Sequence, residues 1–318
     1  MLLKFIYLIL LIRNSLSFAI SSNNFDFCHS TWNGNKFNTL IFEGGGVRAV
    51  VYSGAVKKLE EVDMIKDINC IAGTSSGAQT GALLCTGYNS KELEDALENA
   101  PWDKILHGNI LNIKCIYMLF RKFGLNNGKY LEKYLDDLIF KKTGVRHLTF
   151  KELYTKTKIH LKVGVCSLTD QEFKYIDYLN YPDMPVSKGL RASSSIPFIF
   201  SSTKWKDELF IDGGLIGNLP ITSFPENNCL AFTLLSNGEF NLEKKKNPKN
   251  IFSFIRVILN ILFKNVKKSY SSENKCINNV DYVQIHTGSI GVLDNLDKKT
   301  ITKLVNHGYK AVSNFLKN

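Results

Sequence analysis

From about Lys36 onward, short apolar runs alternate with stretches that carry apolar residues at helical spacing. FNTLIF, from Phe37 to Phe42, predicts a strand, and after it Val51, Ala55, Leu59 and Val62 recur at steps of four, four and three, one face of a helix. INCIAG is a second strand candidate, followed by a helix through GAQTGALLC that Gly87 ends. Another helix is predicted from about Ser90 through KELEDALENA, stopping before Pro101. In KIHLKVGVCSL, Ile159, Leu161, Val163 and Val165 alternate as strand residues do, and ELFID reads as a further strand. The chain closes with a strand, VDYVQIHT, and a helix, TITKLVNHGYKAVSNFL. Strands alternating with helices predict an α/β fold, and no internal repeat interrupts it.

Two segments fall outside that rhythm. The start, MLLKFIYLILLIRNSLSFAISS, has an early lysine, an apolar run from Phe5 to Ile12 and the small-x-small triplet Ser17-Phe18-Ala19, so residues 1–20 read as a signal peptide or an N-terminal membrane anchor. The run is short of the roughly 20 residues that span a bilayer. Residues 241–250, NLEKKKNPKN, read as a basic exposed loop, and residues 251–268 as an amphipathic helix with basic residues around it. That helix has two readings, a cover for the core or a surface that lies on membrane.

Composition bounds the chemistry. The chain has 318 residues, enough for one large core or two modest ones, and a formal charge of +11. Such a charge suits an anionic partner or a solvated lysine-rich surface. Seven scattered cysteines without a CxxC pair argue against a zinc site and against a disulfide framework, and their apolar neighbours predict buried free thiols. The chain contains no N-x-S/T sequon.

The chemistry concentrates in two glycine-rich turns. Gly44, Gly45 and Gly46, followed by Val47, Arg48 and Ala49, fit the dinucleotide pattern G-x-G-x-x-G/A between a strand and a helix. A Rossmann site needs an acid about 20 residues on, at the end of the second strand. Asp63 has the spacing, but the second strand ends in Gly73-Thr74-Ser75-Ser76-Gly77, a G-x-S-x-G nucleophile elbow. Neither glycine cluster is followed by the Gly-Lys-Ser/Thr of a phosphate-binding loop. With Ser75 as nucleophile, the upstream glycines gain a role, because backbone N–H groups free of side chains can converge on an oxyanion. Arg48, a cation in the first turn of a helix, opposes the macrodipole, which points to a need for positive charge there or to a pair with Glu43.

The serine needs a base. His286 and His307 are the histidines late enough for a Ser-acid-His triad, and neither sits in a supporting loop motif. Asp212 stands at the end of a strand, before Gly213 and Gly214, in LFIDGGLIGNLP. Taken in order, GGGVR, GTSSG, RASSSIP and DGGLIGNLP resemble the patatin-like phospholipases, over roughly Phe37 to Phe224. The resemblance implies a three-layer α/β/α fold with a mostly parallel central sheet, a catalytic domain at residues 37–224, and residues 225–318 completing the same fold. It implies a Ser-Asp dyad of Ser75 and Asp212, an oxyanion loop of Gly44, Gly45, Gly46 and Arg48, and turn motifs built on Gly73, Gly77, Gly213 and Gly214. Two positions depart from the family pattern, Ala49 for glycine and Ser195 for alanine, and neither removes a catalytic atom.

The resemblance implies an acyl hydrolase of phospholipids or neutral lipids that works through an acyl-enzyme, without metal or cofactor. The implied partner is a lipid substrate at a membrane surface, with anionic lipid favoured by the net charge, and no nucleic acid. A secretory or membrane-associated location goes with the N-terminal segment. Phe210, Ile211 and Leu215 should desolvate Asp212 and raise its basicity. IPFIF, next to RASSS, suits an acyl chain. Standing against this reading are a carboxylesterase with a Ser-Asp-His triad, a dinucleotide-binding oxidoreductase and a non-catalytic lipid-binding relative.

Overall fold

In a computed structural model of the chain, Thr39–Phe42 form strand β1, buried at all four positions, as a strand inside a parallel sheet must be. The structure describes residue 34, residues 36–102, 104–105, 121, 123–236 and 279–317, and residues 257, 258, 261, 262 and 266. The predicted N-terminal segment and basic loop, and most of the amphipathic helix at 251–268, lie outside the described residues.

Strand β2 (Cys70–Thr74) pairs parallel with β1, β9 (Cys229–Leu235) lies on the other side of β1, and β10 (Val280–His286) lies outside β9. Beyond β2, β4 (His160–Ser167) is again parallel, with β5 (Glu172–Ile176) antiparallel to it. The hairpin β7 (Thr203–Trp205) and β8 (Glu208–Asp212) joins β4 antiparallel. A separate parallel pair is β3 (Gly124–Asn126) with β6 (Phe198–Phe200). The result is an α/β fold with a mostly parallel central sheet flanked by helices.

The register on β4 positions the site. Val163 and Gly164 have β2 and β5 as their two neighbours, whereas Val165, Cys166 and Ser167 have β5 and β8. β2 and β8 therefore share one edge of β4 and meet end to end. Thr74 faces Gly164, and Asp212 faces Val165, the next residue.

Helices α1 (Val51–Glu61), α2 (Ser76–Cys85), α3 (Ser90–Glu98), α4 (Lys129–Thr143), α5 (Phe150–Thr157), α6 (Val186–Ser193) and α7 (Lys298–Phe315) complete the framework among the described residues. Capping boxes start two of them, Asn89 with Glu92 for α3 and Thr149 with Glu152 for α5. Val62, read as part of the buried face of α1, lies past its end and is exposed, because the helix stops at Glu61. The main core joins Leu40, Phe42, Phe232, Leu161 and Val163 of the sheet to α1, α2, α6 and α7. Phe42 stacks on Phe232 with centroids 5.0 Å apart. α7 crosses α1 at close range, since a Cβ on Gly54 would stand 1.7 Å from the Val305 carbonyl oxygen and one on Gly308 1.8 Å from that of Val51. On the opposite face, Ile41, Ala72 and Ala231 pack against Leu219, Ile221 and Phe224. Cys85, Cys166 and Cys229 are buried free thiols, and Cys70 is a half-buried one.

Candidate active site

Ser75 closes β2 and caps α2 with φ 53° and ψ −126°, a conformation that costs a non-glycine residue about 1–3 kcal/mol. The surroundings hold it there. Its N–H donates to Ser193 Oγ at 2.7 Å, and that hydroxyl donates to the Gly164 carbonyl at 2.6 Å. Thr74 Oγ1 donates to the Gly217 carbonyl at 2.8 Å. The elbow glycines admit neighbouring backbone: a Cβ on Gly77 would lie 2.4 Å from the Phe42 carbonyl oxygen, and one on Gly73 2.6 Å from the Ala78 nitrogen. The N-terminus of α2 thus ends against the serine, its dipole favouring negative charge there.

Asp212 arrives from the other direction along the same edge of β4. Its N–H donates to the Ser195 carbonyl at 3.0 Å, and its Oδ1 accepts the Gly214 N–H at 2.8 Å. Gly213 turns the chain so tightly that a Cβ would stand 2.5 Å from the Gly164 carbonyl oxygen. The carboxyl is 2% exposed. Burial pushes its pKa from 3.8 up to about 7, while the Gly214 N–H and the Ser75 side chain pull it partly back. The expected desolvation of Asp212 is present; of the three apolar residues around it in sequence, Phe210 is fully buried and Ile211 and Leu215 are half-buried.

The glycine loop is more committed than its sequence suggests. The Gly44 N–H donates to the Asn218 carbonyl at 3.1 Å and the Gly45 N–H to Ser76 Oγ at 3.0 Å. Two of the three expected oxyanion donors are therefore engaged in this arrangement. For the Gly46 N–H no protein acceptor is found among the described residues. Gly46 has φ +57°, and a Cβ there would stand 2.0 Å from the Val292 carbonyl oxygen, which accepts the Val47 N–H. Arg48 is buried within the 3₁₀ turn that precedes α1, and its Nε donates to the Gly45 carbonyl at 3.3 Å, so the cation braces the loop.

Asn218, in the segment read only as part of a motif, ties these pieces together. Its Nδ2 donates to Glu43 Oε1 at 3.1 Å and to the Gly44 carbonyl at 3.0 Å. Glu43 is buried, and its other oxygen accepts Thr233 Oγ1 and the Leu234 N–H, both at 2.6 Å. The end of β1, the end of β9 and the turn after Asp212 are fixed to one carboxylate.

Two adjoining cavities share Gly46, Ser75, Ile196 and Val292. The smaller, about 400 Å³, is walled by Gly44, Gly45, Arg48, Asp212 and Asn218. The larger, about 820 Å³ and partly open to solvent, is apolar and runs between α2 and α4 past Leu83, Leu131, Leu135 and Phe200. Of IPFIF, Ile196 and Phe200 line this cavity, while Phe198 faces solvent. Ala49 lines it too, and the Ser195 hydroxyl donates to the Arg191 carbonyl at 2.9 Å.

Arg191 is 2% exposed, and burial lowers its pKa to about 10. It donates to Ser195 Oγ, to the Asn127 carbonyl and to the Ser201 carbonyl at 2.6, 3.1 and 2.9 Å. The helix α6 beside Ser75 is thereby fastened to the β3–β6 pair.

The residues needed by the competing readings stand elsewhere. None of the described histidines lines either cavity. His307 Nδ1 hydrogen-bonds to the His286 backbone carbonyl at 2.7 Å, away from Ser75. Asp63 sits in the exposed turn after α1, paired with Lys66, and not at the end of β2. Among the described residues no three His, Cys, Asp or Glu side chains converge to hold a metal ion, and no helix is long and apolar enough to cross a membrane.

Comparison with known proteins agrees with this architecture. The family described as Patatin-like phospholipase matches residues 40–225. YqhO of Bacillus subtilis (strain 168) is 30% identical over 74% of this chain and 81% of its own. Probable lipid hydrolase 463L of Invertebrate iridescent virus 6 is 29% identical over 58% of this chain and 62% of its own. The crystal structure of VipD from Legionella pneumophila superposes with a TM-score of 0.59 at 18% identity, over 89% of this chain and 67% of VipD, a likeness of fold.

Proposed function

Since the chain belongs to the patatin-like phospholipase family, we propose that it hydrolyses fatty-acyl esters of phospholipids or neutral lipids, with Ser75 as nucleophile and Asp212 as its base. The observation that carries this is the meeting of a strained serine elbow with a buried carboxyl of pKa about 7 on one edge of β4. A carboxyl near pKa 4 would be a poor base at neutral pH, whereas one near 7 is half ionised and well matched to proton transfer.

In acylation, Ser75 Oγ attacks the ester carbonyl carbon while its proton passes to Asp212. The oxyanion of the tetrahedral intermediate is stabilised by the glycine loop, with the Gly46 N–H as the donor without a competing acceptor. Collapse breaks the ester bond, and the leaving alkoxide takes the proton from Asp212. Water then attacks the acyl-enzyme, gives its proton to Asp212, and releases the fatty acid as Ser75 recovers its hydrogen. The apolar cavity between α2 and α4 suits the acyl chain.

A fluorophosphonate probe and a fluorescent phospholipid test this directly. Ser75→Ala should abolish labelling and hydrolysis, and Asp212→Asn should remove most turnover while the circular dichroism spectrum is unchanged. Near wild-type turnover in either variant overturns the dyad. Loss of activity in His286→Ala or His307→Ala would restore the triad instead.

A further inference from the structure

The wall of the acyl cavity ends in the β3–β6 pair. Phe200 of β6 faces inward, 3% exposed and lining the cavity. The phenylalanines at the start of the pair do the opposite. Phe198 stands beside Gly124 in the register, so Phe123 precedes its strand at the same end. Phe123 is 68% exposed and Phe198 40%, and both hold left-handed backbone, φ 59° and 68°. That conformation is sterically costly for a bulky residue, and the exposed part of each ring offsets none of the cost by packing. Two neighbouring aromatics strained and turned to water answer to something other than the core.

What surrounds them gives the chemistry of the occupant. Tyr130, exposed at the start of α4, carries the Lys104 ammonium 5.9 Å from its ring centroid. Asn126 Nδ2 donates to the Ile105 carbonyl at 2.9 Å, which draws the Lys104 segment against β3. Lys104, Arg121 and Lys129 are all exposed. Among the described residues, Glu132 of the first turn of α4 is half-buried, and its charge acts on the buried Arg191. Amphipathic rings with a basic fringe match the interfacial layer of a membrane whose headgroups are anionic.

We propose that Phe123, Phe198 and Tyr130 form a docking lip that inserts into the surface of an anionic bilayer and sets the mouth of the acyl cavity against the lipid. This rests on the lipid-ester reading for its purpose, but it is tested separately from it.

Co-sedimentation of the full chain with vesicles reads docking, in a Ser75→Ala background so that no lipid is consumed. The vesicles are phosphatidylcholine alone, or phosphatidylcholine with phosphatidylserine. Phe123→Ser with Phe198→Ser should lower partition onto the phosphatidylserine vesicles about tenfold or more, from the apolar area withdrawn. Lys104→Gln with Lys129→Gln should weaken binding to the anionic vesicles alone, and added salt should mimic it. The same phenylalanine pair in the active enzyme should leave hydrolysis of a soluble butyrate ester within twofold of wild type. Unchanged partition, or equal loss of soluble-ester turnover, overturns the lip. So does a dimer in light scattering that the pair abolishes without any effect on vesicles. Failure of the Ser-Asp assignment would appear in the soluble-ester assay and leave vesicle binding intact.

Discussion

Replacing Asp212 by asparagine should make the protein more stable at neutral pH while it removes the proposed base, and the gain should grow with pH. Burial lifts the Asp212 pKa from 3.8 to about 7. At 1.36 kcal/mol per unit, a shift of that size corresponds to about 4 kcal/mol. The sign follows from proton counting. In the unfolded chain the group loses its proton near 3.8 and in the folded protein near 7, so between those values the folded state holds more protons. Stability contributed by this group is intact below the lower value, falls as pH rises, and is fully lost above the upper one. Asparagine has nearly the same shape, can still accept the Gly214 N–H, and never ionises. The asparagine variant should therefore exceed wild type by about 1 kcal/mol at pH 4.5 and about 4 kcal/mol at pH 8. Urea unfolding followed by tryptophan fluorescence at both pH values measures this difference. A difference that is flat with pH, or a variant less stable at pH 8, would refute the assignment of a desolvated carboxyl. The same titration should shape activity: ionised base rises from about a tenth at pH 6 to nine-tenths at pH 8, so wild-type kcat/KM on a soluble ester should climb about tenfold.

Two substitutions probe the glycine loop. Gly46→Ala places a methyl group 2.0 Å from the Val292 carbonyl oxygen in a left-handed residue. It should lower kcat about a hundred- to a thousandfold, the scale of a lost oxyanion donor, and near wild-type kcat in steady-state assays would exclude Gly46 from that role. Asn218→Ala removes the donor to Glu43 Oε1 and to the Gly44 carbonyl. It should cost about 1–3 kcal/mol in thermal unfolding for the buried acceptors that lose it, with kcat falling more than KM rises. Asn218→Asp should not rescue it, because a second carboxylate would face Glu43.

Much of the framework was legible because buried parallel strands read as apolar runs and the edge strand as an alternating one. FNTLIF, INCIAG and VDYVQIHT became β1, β2 and β10 within a residue or two. The serine elbow was legible for a stereochemical reason: Gly73 and Gly77 admit backbone atoms that any side chain would displace, and that need leaves a mark in the sequence. The occupancy of the loop was not legible. Nothing in GGG shows that Gly44 and Gly45 spend their N–H groups on Asn218 and Ser76, since both acceptors come from other parts of the chain. The role of Val292 was equally hidden, because it stands more than 240 positions from Gly46 in a loop without a motif. Arg191 sat in a segment read for its serines, and its work, bracing Asn127 and Ser201, depends on a sheet pairing that no periodicity encodes.

The division of one edge of β4 between β2 and β8 makes the spacing of Ser75 and Asp212 a digital quantity. Ser75 follows the residue opposite Gly164, and Asp212 stands opposite Val165, so their gap is counted in peptide steps of about 3.3 Å on a third strand. Side-chain rotation adjusts the final fraction of an ångström, but the coarse setting is an integer. A residue gained or lost in the long excursion between β4 and β8 can be absorbed by its loops. One gained or lost inside β4 shifts its register against β2 or β8 by a whole step and turns the shifted side chains to the other face. β4, which carries neither side chain, is the ruler on which both are marked.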